Sequence, residues 1–281
     1  MELLNLKPRN QRYLYNYNNL FLKFTSLYKE KKLPRKMLFS GPKGIGKATF
    51  AYHLINYIFS RTENFAYDVN SFQVNEANKS YNLVLNNTHP NFHLIDLLDN
   101  KNVIEISQIR EMINYSNKSS LNNKEKIILI DNVEKLNLNS SNALLKIVEE
   151  PTNNTFFILI FNNNQNIIKT IKSRCTKFNF YFNFDQCIDV CNNIIGEDIF
   201  NSVSKDLINH YSTVGDLVKL KVFSSTLNFD ISTISLKNFL VYIINNKIYS
   251  KDAFIKLNIY KYIEFYLIKL LSIKKSRKQI F

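Results

Sequence analysis

Residues 36–60 read KMLFSGPKGIGKATFAYHLINYIFS, and this stretch decides the fold. A short apolar run leads into a glycine-rich turn, and a longer apolar stretch with helical spacing follows it. A strand, a glycine turn and a helix in this order form a loop whose backbone N–H groups converge on an anion. The segment therefore predicts a phosphate-binding loop that joins a strand to a helix.

The side chains of this loop predict a nucleotide site that is incomplete. Three glycines allow the tight turn: Gly41, Gly44 and Gly46. Lys47 is placed to reach the β- and γ-phosphates of a nucleotide. The next position, where a hydroxyl usually ligates Mg²⁺, is Ala48, and Thr49 points about 100° away around the helix. The sequence thus predicts a phosphate cradle without a metal anchor.

Short β-rich runs alternate with helical patterns over the first 180 residues. This order predicts an α/β fold with a doubly wound parallel sheet and crossover helices. The predicted strands are Lys36–Ser40, Phe92–Leu98, Ile127–Asp131, Phe156–Phe161 and Lys177–Phe182. The predicted helices cover residues 47–60, 105–117, 139–149 and 165–172. Residues 61–90 are polar and poorly periodic, so we expect a surface excursion there.

No further strand is predicted after residue 182. Helical patterns at 185–195, 198–211 and 213–223 indicate a small helical domain, and a second helical unit follows from about residue 229. The apolar face of KNFLVYIINNKIY and YKYIEFYLIKLL is large for a lone surface helix. It either mediates assembly with other chains or forms the core of that last unit.

The chain is strongly basic: its 281 residues carry 37 Lys and Arg against 23 Asp and Glu, a formal charge of +14. Two explanations stay open. A basic surface can bind nucleic acid through its phosphates. Alternatively, the excess reflects compositional drift, because Arg is scarce and Asn, Ile, Lys, Tyr and Phe are abundant throughout.

Cysteine spacing and hydropathy exclude several classes of protein. Cys175, Cys187 and Cys191 form no CxxC pair, so we expect neither disulfides nor a structural zinc ion. No apolar run reaches about 18 residues, and the first residues lack a secretory pattern. We therefore expect a cytoplasmic protein with no membrane partner.

A second motif, IILIDNVEKL at residues 127–136, is an apolar strand that ends in Asp131. From this position a carboxylate reaches Mg²⁺ in phosphate-loop ATPases. Asn132 stands where motor ATPases commonly carry a Glu that polarises water, and an amide cannot accept the proton. Glu134 is expected to be a solvated acid at a helix start. Taken alone, the segment is also compatible with an ordinary buried strand that has an acidic end.

Further blocks carry a family resemblance. NALLK at 142–146, EEP at 149–151 and Ser173-Arg174-Cys175, with HPN at 89–91 and the glycine loop, are similar to those of bacterial clamp-loader subunits of DNA polymerase III. Their spacing most resembles the delta-prime branch of that AAA+ family. The match covers about residues 1–180.

The resemblance implies three domains and a place in DNA replication. These are an AAA+ core (1–182), a helical lid (183–224) and a helical collar (225–281) that joins five subunits into a ring. The implied partners are the gamma/tau and delta subunits, the sliding clamp and primed DNA. Arg174 would act in trans as an arginine finger in the neighbouring ATP site, because a guanidinium has the charge and geometry to bind a transferring phosphate. The simpler alternative is a surface Arg.

Departures from the family pattern point to a structural subunit with little or no ATPase of its own. Ala48 and Asn132 replace usual catalytic residues, and Asp216 stands where motor subunits place a phosphate-sensing Arg. Residues 61–90 also lack the cysteines of the zinc module that many relatives carry. Whether ATP or ADP binds without turnover stays open. The alternatives are a gamma/tau-like motor subunit and a stand-alone basic nucleic-acid-binding protein.

Overall fold

A computed structural model describes residues 6–98, 101–118, 124–149, 154–227 and 229–278. The chain divides into two compact units, Glu2–Tyr181 and Phe182–Phe281. The first unit is α/β and the second is mostly helical.

A parallel sheet forms the centre of the first unit, with five strands in the described residues. The strands are β1 (Lys36–Gly41), β2 (Phe92–Ile95), β3 (Lys126–Ile130), β4 (Thr155–Asn162) and β5 (Thr176–Asn179). Their order is β2-β3-β4-β1-β5, and every neighbouring pair is parallel. The three central strands are buried almost throughout, as expected of a sheet covered by helices on both faces. The predicted parallel α/β core is confirmed, although β2 and β5 end three residues earlier than predicted.

Helices of the first unit surround this sheet. They are α1 (Asn18–Lys29), α2 (Lys47–Ser60), α3 (Lys79–Leu85), α4 (Ile106–Asn117), α5 (Leu138–Glu149) and α6 (Lys169–Arg174). Helix α2 has the predicted bounds, whereas α6 begins four residues later than predicted. The reason is a turn before α6, in which the Gln165 N–H donates to the Asn162 carbonyl at 3.1 Å. Helix α1 was not predicted, although Phe21, Phe24 and Tyr28 form its buried stripe.

The segment 61–90 is less peripheral than expected. Tyr67, Val74, Tyr81 and Val84 are buried, whereas Phe65 is 60% exposed. The segment contains helix α3, which is capped by the Asn78 side chain, whose Oδ1 accepts from the Tyr81 N–H at 2.8 Å. The hydroxyl of Tyr67, a residue 7% exposed, lies at hydrogen-bond distance, 2.8 Å, from Nδ1 of buried His53 on α2. Most residues of this segment are exposed, as expected of a surface excursion, but the contact between Tyr67 and His53 attaches it to core helix α2.

The second unit contains α7 (Phe184–Ile195), α8 (Val214–Leu227), α9 (Leu236–Asn245), α10 (Ile248–Lys251) and α11 (Ala253–Lys278). The predicted helix at 198–211 is wrong, since only two single 3₁₀ turns occur there, Ile199–Asn201 and Lys205–Leu207. Side chains of Asp198 and Ser204 accept backbone N–H groups two residues ahead and start these turns instead of a helix. The mostly helical C-terminal region is confirmed. Within the described ranges, none of the helices combines the length and apolarity needed to span a bilayer.

Candidate functional site

The strand order brings the predicted site residues to one edge of the sheet. Strand β4 lies between β1 and β3, and all three run in the same direction. Their carboxyl ends therefore adjoin, which is where open α/β sheets bind ligands. Gly41 ends β1, Asp131 follows β3, and Asn162, a residue that the sequence did not single out, ends β4.

The glycine loop has the backbone shape of a phosphate cradle. Gly44 and Gly46 have φ angles of 85° and 91°, a left-handed conformation that glycine adopts without strain. Gly46 directly precedes α2, whose first turn contains Ala48 and Thr49. The loop is also anchored from outside, because the Tyr17 hydroxyl donates to the Ile45 carbonyl at 2.8 Å. The backbone geometry predicted from the sequence is thus present.

Lys47, the first residue of α2, is bound within the protein. Its side chain is 4% exposed, and Nζ donates to the carbonyls of Gly41 at 2.9 Å and Pro42 at 2.6 Å. A third bond runs from Nζ to Oδ1 of Asn162 at 3.0 Å. Since an ammonium group has three N–H donors, these bonds use all of them. The lysine holds the loop against the end of β4.

Burial shifts the protonation of the two charged groups at this edge. It lowers the pKa of Lys47 to about 8, against the opposing effect of the Asp131 and Glu134 carboxylates. Burial also raises the pKa of Asp131 to about 7, and the neighbouring Asp96 carboxylate adds to that increase. Both shifts disfavour the charged form, so the site is poorly solvated.

A polar network connects the ends of β2, β3 and β4 around Asn162. The Asn162 N–H donates to Oε2 of Glu134 at 3.2 Å, and its Nδ2 donates to Glu134 Oε1 and to Oδ1 of Asn132 at 3.2 Å. Asn132 in turn donates from Nδ2 to Oδ1 of Asp96 at 2.8 Å. Glu134 lies in the first turn of a 3₁₀ helix, as predicted, and is partly exposed, but its carboxylate binds Asn162, so Glu134 is also part of the site.

The residues present fit a phosphate group better than a magnesium nucleotide. The positive-φ glycines and the start of α2 supply a backbone cradle. In contrast, all three N–H donors of Lys47 already bind acceptors within the chain, and Ala48 has no hydroxyl for a metal ion. The Asn132 amide donates to Asp96 and accepts from Asn162. Among the described residues, no group of three or more His, Cys, Asp or Glu side chains is placed to hold a metal ion.

Arg174 lies at a separate point, as the last residue of α6. Buried Ile171 and Cys175 fix the backbone on either side of it, while the Arg174 side chain is 35% exposed. Its Nε and Nη2 both donate to Oε1 of Glu149 at 2.6 Å, and Nη1 donates to the Thr170 carbonyl at 3.3 Å. Glu150 and Pro151 of the EEP block lie outside the described residues.

Asp216, the residue in the predicted phosphate-sensing position, caps helix α8. The Asp216 N–H donates to Oγ1 of Thr213 at 3.3 Å, and the Thr213 N–H donates to Oδ2 of Asp216 at 3.4 Å. This reciprocal pair is a capping box, for which Thr-x-x-Asp is a sequence signature. The local role of Asp216 is therefore helix capping.

The sequence of this chain is similar to those of DNA polymerase III subunits. The sequence model of the family described as DNA polymerase III, delta subunit, matches residues 17–183, which include the whole sheet and Arg174. Over 140 residues the chain is 29% identical to the DNA polymerase III subunit delta' of Pseudomonas aeruginosa, an alignment that covers 50% of this chain and 41% of the relative.

The chain is also similar in sequence to two DNA polymerase III subunits of Bacillus subtilis. The chain is 27% identical over 221 residues to DNA polymerase III subunit delta', covering 78% of this chain and 60% of the relative. It is 32% identical over 151 residues to subunit tau, covering 54% of this chain and 25% of the relative. The chain thus spans less than two thirds of the length of each of these three relatives.

Proposed function

The chain belongs to the DNA polymerase III delta subunit family, and from that premise we propose that it is a delta-prime-type subunit of the sliding-clamp loader. In this role it is a structural AAA+ subunit of the DNA polymerase III holoenzyme. It takes part in loading the clamp onto primed DNA in the cytoplasm and has little or no ATPase activity of its own.

The bound state of Lys47 is the observation that carries this proposal. Relatives named delta' and tau both match, so similarity alone does not separate a structural subunit from a motor. A motor lysine must reach the nucleotide, whereas all three donors of Lys47 bind Gly41, Pro42 and Asn162. Together with Ala48, this arrangement favours a subunit that holds ATP or ADP weakly, if at all, and without turnover.

Arg174 supplies the proposed contribution to the active ring. The buried side chains of Ile171 and Cys175 fix the backbone that presents it, while its guanidinium remains partly exposed. An arginine finger contributes roughly 10³–10⁵ in rate to phosphoryl transfer when it reaches the transferred phosphate. We propose that Arg174 enters the ATP site of a neighbouring gamma/tau subunit in a five-membered ring that also contains delta.

No zinc ion is part of this proposal. Cys175, Cys187 and Cys191 are buried free thiols, and burial raises the pKa of Cys191 to about 12, which disfavours the thiolate that binds metals. Elemental analysis of the purified chain should therefore find no stoichiometric zinc.

Two measurements test the proposed function. The purified chain alone should show no appreciable magnesium-dependent ATP turnover, and it should co-purify with gamma/tau and delta when the three are expressed together. Turnover at ordinary motor rates by the isolated chain would instead support the alternative, a gamma/tau-like motor subunit. Arg174→Ala in the assembled complex should reduce the clamp- and DNA-stimulated ATPase without preventing assembly.

A further inference from the structure

The partner of Arg174 within its own chain is Glu149. The carboxylate lies at the last residue of α5, and the guanidinium lies 25 residues later at the end of α6. Two donors of Arg174, Nε and Nη2, converge on one oxygen, Oε1, at 2.6 Å each. The contact therefore fixes both the position and the plane of the guanidinium group.

The bonds made by Arg174 leave part of its donor set for another acceptor. Arginine has five N–H donors in a planar fork. Glu149 takes one from Nε and one from Nη2, and the Thr170 carbonyl takes one from Nη1. Within the described part of the chain, these contacts leave one N–H on each terminal nitrogen. Two such donors in one plane are suited to phosphate oxygens.

The Glu149–Arg174 ion pair is expected to contribute little to the stability of the fold. Its side chains are 46% and 35% exposed, and ion pairs at such surfaces contribute little to folding. A long arginine side chain, however, loses much rotamer freedom when it is ordered on a ligand. A carboxylate that orders it in advance reduces that loss, as supporting contacts do in other preorganised sites.

We propose that Glu149 is a positioning residue for Arg174, holding the guanidinium ready for the phosphate of the neighbouring subunit. This inference rests on the proposed role of Arg174 as an arginine finger. Glu149 itself acts only through Arg174. Its removal should therefore have no effect once Arg174 is gone.

The test uses full-length chains assembled with their partner subunits. The variants are Glu149→Ala, Glu149→Gln, Arg174→Ala and the Glu149→Ala, Arg174→Ala double variant. For Glu149→Ala we expect the clamp- and DNA-stimulated kcat to fall on the order of tenfold, with an unchanged KM for ATP and normal assembly. Glu149→Gln keeps an acceptor oxygen and should lose less. The double variant should be no worse than Arg174→Ala.

A matched control comes from another ion pair of similar exposure. Glu197 binds Lys221 at 2.7 Å, with side chains 44% and 30% exposed. Glu197→Ala removes the same kind of contact from the helical unit and should leave kcat unchanged. Thermal unfolding of every variant, measured before assembly, should match that of the parent chain.

Three results would overturn the inference. If Arg174→Ala is defective but both Glu149 variants are normal, the pair is an ordinary surface contact. If Glu149→Ala raises kcat, the carboxylate restrains the arginine rather than positioning it. If Arg174→Ala has no effect, both the proposed role of Arg174 and this inference fail. The Arg174→Ala variant by itself therefore distinguishes that result from a failure of the inference about Glu149.

Discussion

Lys47 of the glycine loop forms its hydrogen bonds within its own chain. Its ammonium stabilises the loop carbonyls and offsets the Asp131 and Glu134 carboxylates, so it acts as an internal cation. We predict that Lys47→Met lowers the free energy of unfolding by about 2–4 kcal/mol, since it leaves buried acceptors and carboxylates without their partner. Denaturant titration measures this loss. Adding Asp131→Asn should recover part of it.

The neighbouring Lys43 provides the control for that prediction. It lies in the same loop and its side chain is exposed, so Lys43→Met should change stability by no more than about 0.5 kcal/mol. If Lys47→Met is as stable as the parent chain, then the ammonium is not a structural cation. The lysine would then be available to a nucleotide.

His53 predicts an acid-sensitive contact inside the first unit. Its Nε2 lies 3.1 Å from the Gln11 carbonyl, so Nε2 carries the proton and Nδ1 accepts from the Tyr67 hydroxyl at 2.8 Å. Burial lowers the pKa of His53 from 6.5 to about 3. Between these values the unfolded chain binds more protons, so stability falls as the pH falls, by about 1.4 kcal/mol per pH unit from this residue.

The measurement compares unfolding free energies of the parent chain and His53→Gln between pH 6.5 and 4. Carboxylates titrate in both proteins and cancel in the difference. We expect the parent chain to lose stability more steeply, so that the two curves converge toward acid pH. Parallel curves would show that His53 is not buried in its neutral form.

Site residues whose position depends only on the local chain pattern could be predicted from the sequence. Site residues whose role depends on tertiary contacts could not. The glycines, Lys47 and Asp131 follow from a strand-and-turn pattern along the sequence. Asn162 could have been noticed as a polar end to the apolar run FFILIFN, but its partners Asn132 and Glu134 come from the turn that follows β3. The pairing of Glu149 with Arg174 depends likewise on how α5 and α6 pack.

At the scale of elements, helix prediction succeeded where caps and periodicity agreed. Helix α2 begins directly after Gly46 and has a continuous apolar pattern, so both bounds were predicted. Residues 198–211 have apolar spacing too, but side chains of Asp198 and Ser204 compete for the backbone N–H groups. Local capping therefore outweighed periodicity in that segment.

Lys126 provides a prediction for helix α4. Its buried Nζ donates to the carbonyls of Tyr115 at 2.9 Å, Ser116 at 3.3 Å and Lys118, all at the C-terminal end of that helix. Lys126→Met should therefore destabilise the chain by about 2–3 kcal/mol and increase hydrogen exchange in the last turn of α4. Exposed Lys124, two residues earlier, is the control, and equal effects of both substitutions would argue against a capping role.

At the scale of the whole molecule, the second unit holds together across the predicted boundary between lid and collar. The Ser204 N–H donates to the Ile231 carbonyl at 2.8 Å, and Oδ2 of Asp206 accepts from the Leu236 N–H at 2.7 Å. Lys269 on α11 binds Oδ1 of the same aspartate at 2.6 Å. The parts of the second unit before and after residue 225 are thus joined by contacts that a cut there would break.

Helix α11 provides the prediction for assembly. Tyr262 packs on Phe239 of α9 with ring centroids 5.3 Å apart, so one side of α11 faces its own unit. Another side carries an exposed apolar stripe at spacings of three, four and seven residues: Leu257 (71% exposed), Tyr260 (79%), Leu267 (53%) and Leu271 (61%). A stripe with this spacing is typical of a helix that packs against a partner helix.

Leu257→Glu combined with Leu271→Glu should therefore weaken co-assembly with gamma/tau and delta by at least about 100-fold, because each buried leucine contributes roughly 1.5–3 kcal/mol. Thermal unfolding of the isolated chain should be unchanged, since both side chains are exposed there. Lys237→Glu alters the net charge by the same two units, but residue 237 is exposed on α9, outside the stripe, so this variant should assemble normally. Equal assembly of the double variant and this control would show that the stripe does not bind the partner subunits.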